Sequence, residues 1–446
     1  MTSSRKVFAH VVAGLLTLAC PLAAQEHDHD HDDDAPQPAS DDAVLVLRGA
    51  TVHGPRGPIP RGVVVVVNGR IAAVGAEGEV ALPPGGARVF LGGQHLYPGL
   101  IDADTILGLT EIGSVAATND TSEVGDVNPN LRAELGVNPD SELLPVARTG
   151  GVLVALTALR TGLLSGTSAL IYTQGWTWED MTVRAPAALH VRWPRMRVDP
   201  VGRSEKELRE AVEAREAKLR AIDEALAEAR AYWRARKEAG VTRRPDRDPK
   251  WDAMRGVVEQ RIPVAVEADG VLELRAALDW ADRERLRLIV VGGQEAWRLA
   301  DALAMRDVPV IVGTPFELPA RDDDPIDAPY RNAAVLHAAG VRIAFGSGGH
   351  GFAAANARHL RLHAAQAVAH GLPREAALHA LTAGAAEILG VGERLGALEA
   401  GREATLFAAT GDILDTRTEV TAAWIGGQPV DLHDRQRRLY ERYRRR

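Results

Sequence analysis

The chain reads as an α/β protein, a (β/α)₈ TIM-like barrel carrying a small composite β-sandwich formed from both termini. Three observations predict this. Apolar runs at residues 151–158, 262–266, 287–291, 308–312 and 341–345 each precede a helical or glycine-rich stretch, the repeated βα unit of a parallel sheet. Strand-like runs broken by Gly and Pro turns stand at both ends, at 43–48, 63–67 and 71–74 and again at 404–408 and 420–425. Finally, 446 residues with 46% hydrophobic content suffice for one large core and a smaller one, while 43 Gly and 25 Pro against 4% aromatics imply small-residue packing and many turns.

From the N-terminus, Arg5 and Lys6 precede an apolar run over 7–18 that is too short to span a bilayer, and Leu22-Ala23-Ala24 follows as a small-residue cleavage site. Residues 1–24 therefore read as a signal peptide, so the protein is expected in the periplasm or secreted, with no transmembrane segment in the mature chain. The alternative is lipid attachment at Cys20, although Thr17 stands where such a site prefers Leu. Cys20 is the only cysteine, so cleavage after Ala24 leaves a chain without thiols or disulfides. Residues 25–42 have almost nothing apolar to bury and read as a disordered linker. There His27, His29 and His31 alternate with Asp, which suits either a solvated acidic spacer or a loose metal-collecting tail without fixed geometry.

Residues 43–97 and 391–433 form the expected sandwich and 98–390 the barrel. A charged segment over 204–260, rich in Glu, Arg and Ala, reads as an exposed helical hairpin inserted in the barrel. The Arg-rich 434–446 reads as a solvated amphipathic tail, and a net charge of −8 argues against a nucleic-acid partner.

The segment Leu96-Tyr97-Pro98-Gly99-Leu100-Ile101-Asp102-Ala103-Asp104-Thr105-Ile106 resembles the first barrel strand of the amidohydrolase superfamily, where a PGLIDAHxH pattern leads from a small β-domain into the barrel. The runs Ala385-Ala386-Glu387-Ile388-Leu389-Gly390 and Gly396-Ala397-Leu398-Glu399-Ala400-Gly401 resemble that family's exit from barrel to β-domain. The resemblance covers 43–433 and is nearest the imidazolonepropionase-like branch. It implies a metal-dependent hydrolase of C–N bonds in non-peptide or cyclic amides, with one or two divalent ions at the C-terminal mouth of the barrel generating hydroxide near neutral pH. The ligands it implies are two His on strand 1, a carboxylated Lys or carboxylate on strand 4, a His each on strands 5 and 6, and an Asp on strand 8.

At those positions the sequence departs from the family. The strand-1 pair falls on Asp104 and Ile106, strand 4 on His190, strand 5 on Glu267, strand 6 on Gly292 and strand 8 on Gly348. The five lysines are Lys6, Lys206, Lys218, Lys237 and Lys250, so none is placed to bridge two ions. Three readings stay open for the residues left at the mouth, which also include Asp269, Glu295 and His350. Asp104, His190 and Glu267 could form a rebuilt site for a single divalent ion such as zinc. A carboxylate pair could run metal-free acid/base chemistry. Or the pocket does no chemistry, and no cofactor is needed.

Ser165 and Thr167, the aromatic Trp176 and His350 in its glycine-rich loop are the candidate substrate contacts; the bland alternatives are turn formation and packing. His359 and His363 share a helix face that reads as solvated. The function expected is that of an exported amidohydrolase-like protein with a degenerate metal site, weakly active or inactive. The alternative is a non-catalytic binding or assembly subunit acting with an active relative. A small-molecule ligand and a homo- or hetero-oligomer are the expected partners. The substrate is not legible, because specificity in such folds lies in the βα loops.

Overall fold

The computed structural model describes residues 43–239 and 245–445. The leader expected at 1–24 and the linker at 25–42, with Cys20, His27, His29 and His31, lie outside the described residues.

The chain opens as an antiparallel meander of β1 (Val44–Gly54), β2 (Gly57–Val67) and β3 (Arg70–Ala76). Asn68 and Gly69 join the last two with φ of 50° and 75°, the pair of positive angles that a tight two-residue hairpin turn demands. Along β2, Val64 and Val66 join one apolar cluster while Val63 and Val65 join another, so both faces are covered and the run is continuously apolar. β4 (Ala87–Phe90) and β5 (His95–Pro98) then pair parallel to β1.

Next come β6 (Leu100–Thr105) and β7 (Val152–Thr157), parallel neighbours. The uniform βα repeat expected from the sequence lapses here. β8 (Leu164–Thr167), β9 (Ala169–Tyr172) and β10 (Thr182–Arg184) are short and pair antiparallel, β9 on β7 and β10 on β9. Parallel order resumes with β11 (Leu189–Arg192), β12 (Val264–Ala268), β13 (Leu288–Gly292), β14 (Val310–Val312) and β15 (Ile343–Phe345), each paired to the one before, with β8 antiparallel at the edge of β11.

Strand periodicity explains how these apolar runs pack. Ala265, Ile289, Val291, Ile311 and Ala344 point into one cluster together with Ile101, Ala103, Val154 and Leu156. Their neighbours Val264, Val266, Val290, Val310 and Phe345 point into a second cluster, with Leu274, Leu278, Leu303, Leu336 and Leu360 of the covering helices. Alternate residues thus serve an inner layer and a helix-facing layer, which is why both parities of these strands are apolar up to their C-terminal ends.

The charged segment is built on one long helix with a short return: Tyr232 and Trp233 donate hydrogen bonds to Asp252 and the Trp251 carbonyl, both at 2.7 Å. A single helix, Glu205–Glu238, connects β11 towards β12, followed by the short helices Pro249–Ala253 and Arg255–Val258. Ser204 and Glu207 close a capping box at its start, and its buried residues Ile222, Ala225, Leu226 and Ala229 recur at helical spacing, so one stripe docks on the large core while the rest stays solvated.

After the helices that follow β15, β16 (Leu406–Ala409) pairs antiparallel with β5, and β17 (Val420–Ile425) and β18 (Gln428–Pro429) extend the edge. Both chain ends therefore share one eight-stranded sheet. The final helix, Arg435–Tyr443, is exposed and anchored by Arg438 to Glu142 at 2.7 Å. Among the described residues no helix is long and apolar enough to cross a membrane.

Candidate functional site

The C-terminal ends of β6 and of β12 to β15 surround a cavity of about 230 Å³, lined among others by Asp104, Arg160, Glu267, Asp269, Gly292, Glu317, Gly348 and His350. A wider hollow of about 1310 Å³ lies against the long helix, lined by Arg230, Trp233 and Arg255, but no sheet strand contributes to it. The strand-end cavity is the better candidate, because parallel α/β folds converge their loops there.

Asp104 arrives on β6, where the pairing with β7 slips between Asp102 and Thr105. Its side chain is nearly buried, with the residue 6% exposed, and it meets the guanidinium of Arg160 at 2.5 Å. Arg160 follows β7, its backbone N–H donating to the Thr121 carbonyl at 2.7 Å. The same guanidinium reaches Glu267, on β12, at 3.6 Å, and Arg192 approaches that carboxylate from β11 at 3.5 Å. Burial pushes the Asp104 carboxyl up from the ordinary range, with the Arg160 charge opposing it. Burial would weaken Arg160 too, but Asp104 and Glu267 together hold the guanidinium above its ordinary value. The triad is therefore an ion pair with a third, weaker arm.

His190 sits on β11 in register with Ala265, one layer below the pairing of Arg192 with Glu267. It is 3% exposed and its Nε2 has no hydrogen-bond partner. Burial, reinforced by Arg160, lowers its pKa to about 3, so the imidazole is neutral across the physiological range. Asp102, also buried, accepts the Ser347 N–H at 2.9 Å through Oδ1, leaves Oδ2 unpartnered, and is raised by burial to about 7. Asp269 is raised by burial as well, with Glu267 and Glu317 adding to the effect.

The glycines around the cavity have a steric reason. A Cβ on Gly349 would stand 2.2 Å from Arg160 Nε, and one on Gly346 would stand 2.7 Å from Asp104 Cβ. At Gly292 the backbone has φ of 89° and a Cβ would meet Asp269 Oδ1 at 2.5 Å. The loop over residues 346–351 is thus hollowed to admit the Arg160–Asp104 pair.

Of the residues singled out from sequence, the structure brings Asp104, Glu267, Asp269 and His350 to one cavity. His190 lies beneath it. His350 also spends Nδ1 on the Ala353 N–H at 3.2 Å, capping the next helix. Ser165 and Thr167 are not cavity residues: both are buried on β8, and their hydroxyls donate to the carbonyls of Thr161 and Leu131. Trp176, 79% exposed, follows β9; since β9 runs antiparallel to β7, it emerges at the opposite end of the sheet. Glu295 is engaged by Arg298 and Arg321. His363 is buried against Phe316 instead of solvated. Sequence reasoning missed Arg160. Its one signal is a lone arginine directly after the apolar run at 151–158, where a strand enters an acidic mouth.

The donor set does not fit the divalent ions that the family resemblance implies. Ile106, Gly292 and Gly348 offer no ligating side chain, and a guanidinium already lies between the two nearest carboxylates. Among the described residues, no three His, Cys, Asp or Glu side chains are grouped to hold a metal ion. What the arrangement can do is bind polar groups on Glu267, Asp269, Gln294 and Thr314 at the cavity wall.

Comparison with known proteins places this geometry among relatives. A model of the amidohydrolase family matches residues 197–430. A curated relative, amidohydrolase tasK of Hapsidospora irregularis, is 39% identical over 72 residues, which is 16% of this chain and only 7% of that protein. Among solved structures, an amidohydrolase from Thermotoga maritima superposes with a TM-score of 0.74 at 25% identity, covering 87% of this chain and 99% of that one. An adenosine deaminase from Xanthomonas campestris with bound zinc reaches a TM-score of 0.51 at 19% identity, covering 90% and 98%, a likeness of fold alone.

Proposed function

From the premise that the chain belongs to the amidohydrolase family, we propose that it is an exported, hydrolase-type member whose mouth receives a small molecule without a resident divalent ion, leaving amide hydrolysis weak or absent. The observation that carries this reading is the pairing of Arg160 with Asp104 and Glu267 in the spot where relatives would need open carboxylates. An ion-activated water needs a cation with a free coordination position, and a guanidinium supplies none. The reading includes closure of the β6–β15 strands into a full barrel and a sandwich-like fold of the terminal sheet around its two apolar clusters.

The test uses the full chain with His27→Ala, His29→Ala and His31→Ala, so that the tail cannot collect metal. Elemental analysis is expected to find no stoichiometric ion, and amides, lactams and dipeptides are expected to show no chelator-sensitive turnover. A tightly held ion together with chelator-sensitive hydrolysis overturns the proposal. Export is checked by N-terminal sequencing of the mature chain, expected to begin at Gln25.

The second reading, an assembly subunit acting with an active relative, draws on exposed Phe316, Leu318 and Phe352, which lie on or next to loops that line the cavity. Apolar residues grouped at a functional rim favour a partner. Light scattering would show a homo- or hetero-oligomer under that reading and a monomer otherwise.

A further inference from the structure

The helix Arg435–Tyr443 is held to the rest of the protein along one side. Arg438 pairs with Glu142 at 2.7 Å, and Glu441 approaches His433 at 3.8 Å. None of its nine residues is buried. So short a helix is marginal in water on its own and an exposed ion pair adds little, so most of the stability that packing gives a helix is still to be supplied.

The open side has a pattern. At about 100° per residue, Leu439, Tyr443, Gln436 and Tyr440 share one arc, turned away from Arg438 and Glu441. Leu439, Tyr440 and Tyr443 are 39%, 65% and 52% exposed. Arg435 and Arg442 border the arc on one edge, and Arg437 and Arg444 on the other. Arg442 and Arg444 lean over the rings of Tyr443 and Tyr440, 5.8 and 5.7 Å from their centroids. This concentration of positive charge is local, since the whole chain carries a net charge of −8.

We propose that this helix docks the protein on an anionic lipid surface, lying in the plane of the interface with Leu439, Tyr440 and Tyr443 inward. An apolar stripe bordered on both edges by arginine fits a boundary that is apolar below and anionic above: the stripe enters the acyl region while the guanidinium groups reach the phosphates. Tyrosine, apolar in its ring and polar at its tip, suits the headgroup level. A second copy would set arginine against arginine. Nucleic acid would engage the arginines but leave the stripe no apolar volume to enter.

The experiment uses the full chain with Leu15→Asp, Leu16→Asp and Cys20→Ser, which keep the apolar run and the thiol of the first 24 residues from binding lipid. Cosedimentation is measured with vesicles of phosphatidylcholine alone and of phosphatidylcholine mixed with phosphatidylglycerol, at low and high salt. The parent is expected to bind the mixed vesicles only and to be released by salt. Leu439→Ser with Tyr440→Ser and Tyr443→Ser is expected to lower binding by roughly tenfold or more. Arg437→Gln and Arg442→Gln, one on each edge, are each expected to cost roughly fivefold. A label makes the reading independent of these variants, because Cys20 is the only native cysteine. An environment-sensitive fluorophore on Gln436→Cys is expected to shift to the blue on mixed vesicles, and one on Glu441→Cys to stay unchanged. The proposal is overturned if the parent ignores mixed vesicles, if it binds both vesicle types alike, if the serine variant binds as the parent does, or if both labels move together. It is overturned equally if light scattering shows a dimer that the serine variant breaks, since a second copy would then cover the face.

Discussion

Basic side chains meet carboxylates in two contrasting settings in this protein. On the helix Glu205–Glu238 the pairs are spread along solvent: Lys206 faces Glu210 and Arg209 faces Glu205, each at 3.7 Å and well exposed. At the strand ends, the Asp104–Arg160 pair is taken out of water, with the part-exposed Glu267 as its outer arm. Water screens the first kind, so each pair contributes little and any member can be exchanged. Burial couples the second kind, so every member depends on the others. Composition alone would weight the two regions equally. Their environments decide which one governs the molecule.

The largest effect that sharpens this contrast is expected at Arg160. Arg160→Met strands two carboxylates, one of them buried, and should lower stability by about 3–5 kcal/mol in denaturant unfolding. A loss below that of a surface pair would show that the triad is better solvated than its geometry implies.

Titration comes next, because burial sets two groups on opposite slopes. Asp102 is held at about 7 when folded against 3.8 ordinarily, so the folded chain binds the extra proton between those values; its contribution is full below about pH 4 and is lost as pH rises through 7. His190 is held at about 3 against 6.5, so the unfolded chain binds the extra proton there; its contribution is full above pH 6.5 and is lost as pH falls towards 3. Each group bends the profile by at most about 1.4 kcal/mol per pH unit. In melting temperature against pH, Asp102→Asn should remove a downward slope between about pH 4 and 7, and His190→Gln should remove an upward slope between about pH 3 and 6.5.

A smaller effect is expected from Gly349→Val, which drives a side chain into Arg160 and should cost about 1–3 kcal/mol through overpacking. The smallest is at the exposed helix: Glu210→Gln should change stability by no more than about 0.5 kcal/mol, read in the same denaturant titration.

Much of the scaffold was legible in advance for a simple reason. The runs that became β12 to β15 are almost wholly apolar, because one parity feeds the inner layer and the other the helices, and Glu267 at the C-terminal end of β12 is the exception that faces the cavity. The motif at residues 96–106 announced where β5 hands over to β6. The reversed strands β8 to β10 were not legible: short runs such as Leu164–Thr167 carry too little periodicity to give direction, and that reversal is what removed Ser165, Thr167 and Trp176 from the cavity. At the site, Asp104 and Glu267 stood out because each occupies a position where the family resemblance leads one to expect a ligand. Arg160 occupies no such position. Only its approach past Gly349 gives it a role.

By itself, then, the sequence determined the layered α/β scaffold and the absence of ligating side chains at Ile106, Gly292 and Gly348, since both follow from residue type at fixed strand positions. Tertiary structure alone decided that Arg160, Asp104 and Glu267 line one cavity, because they come from the ends of three different elements. Charge pairing depends on distance and on exclusion of water, and neither is written along a chain.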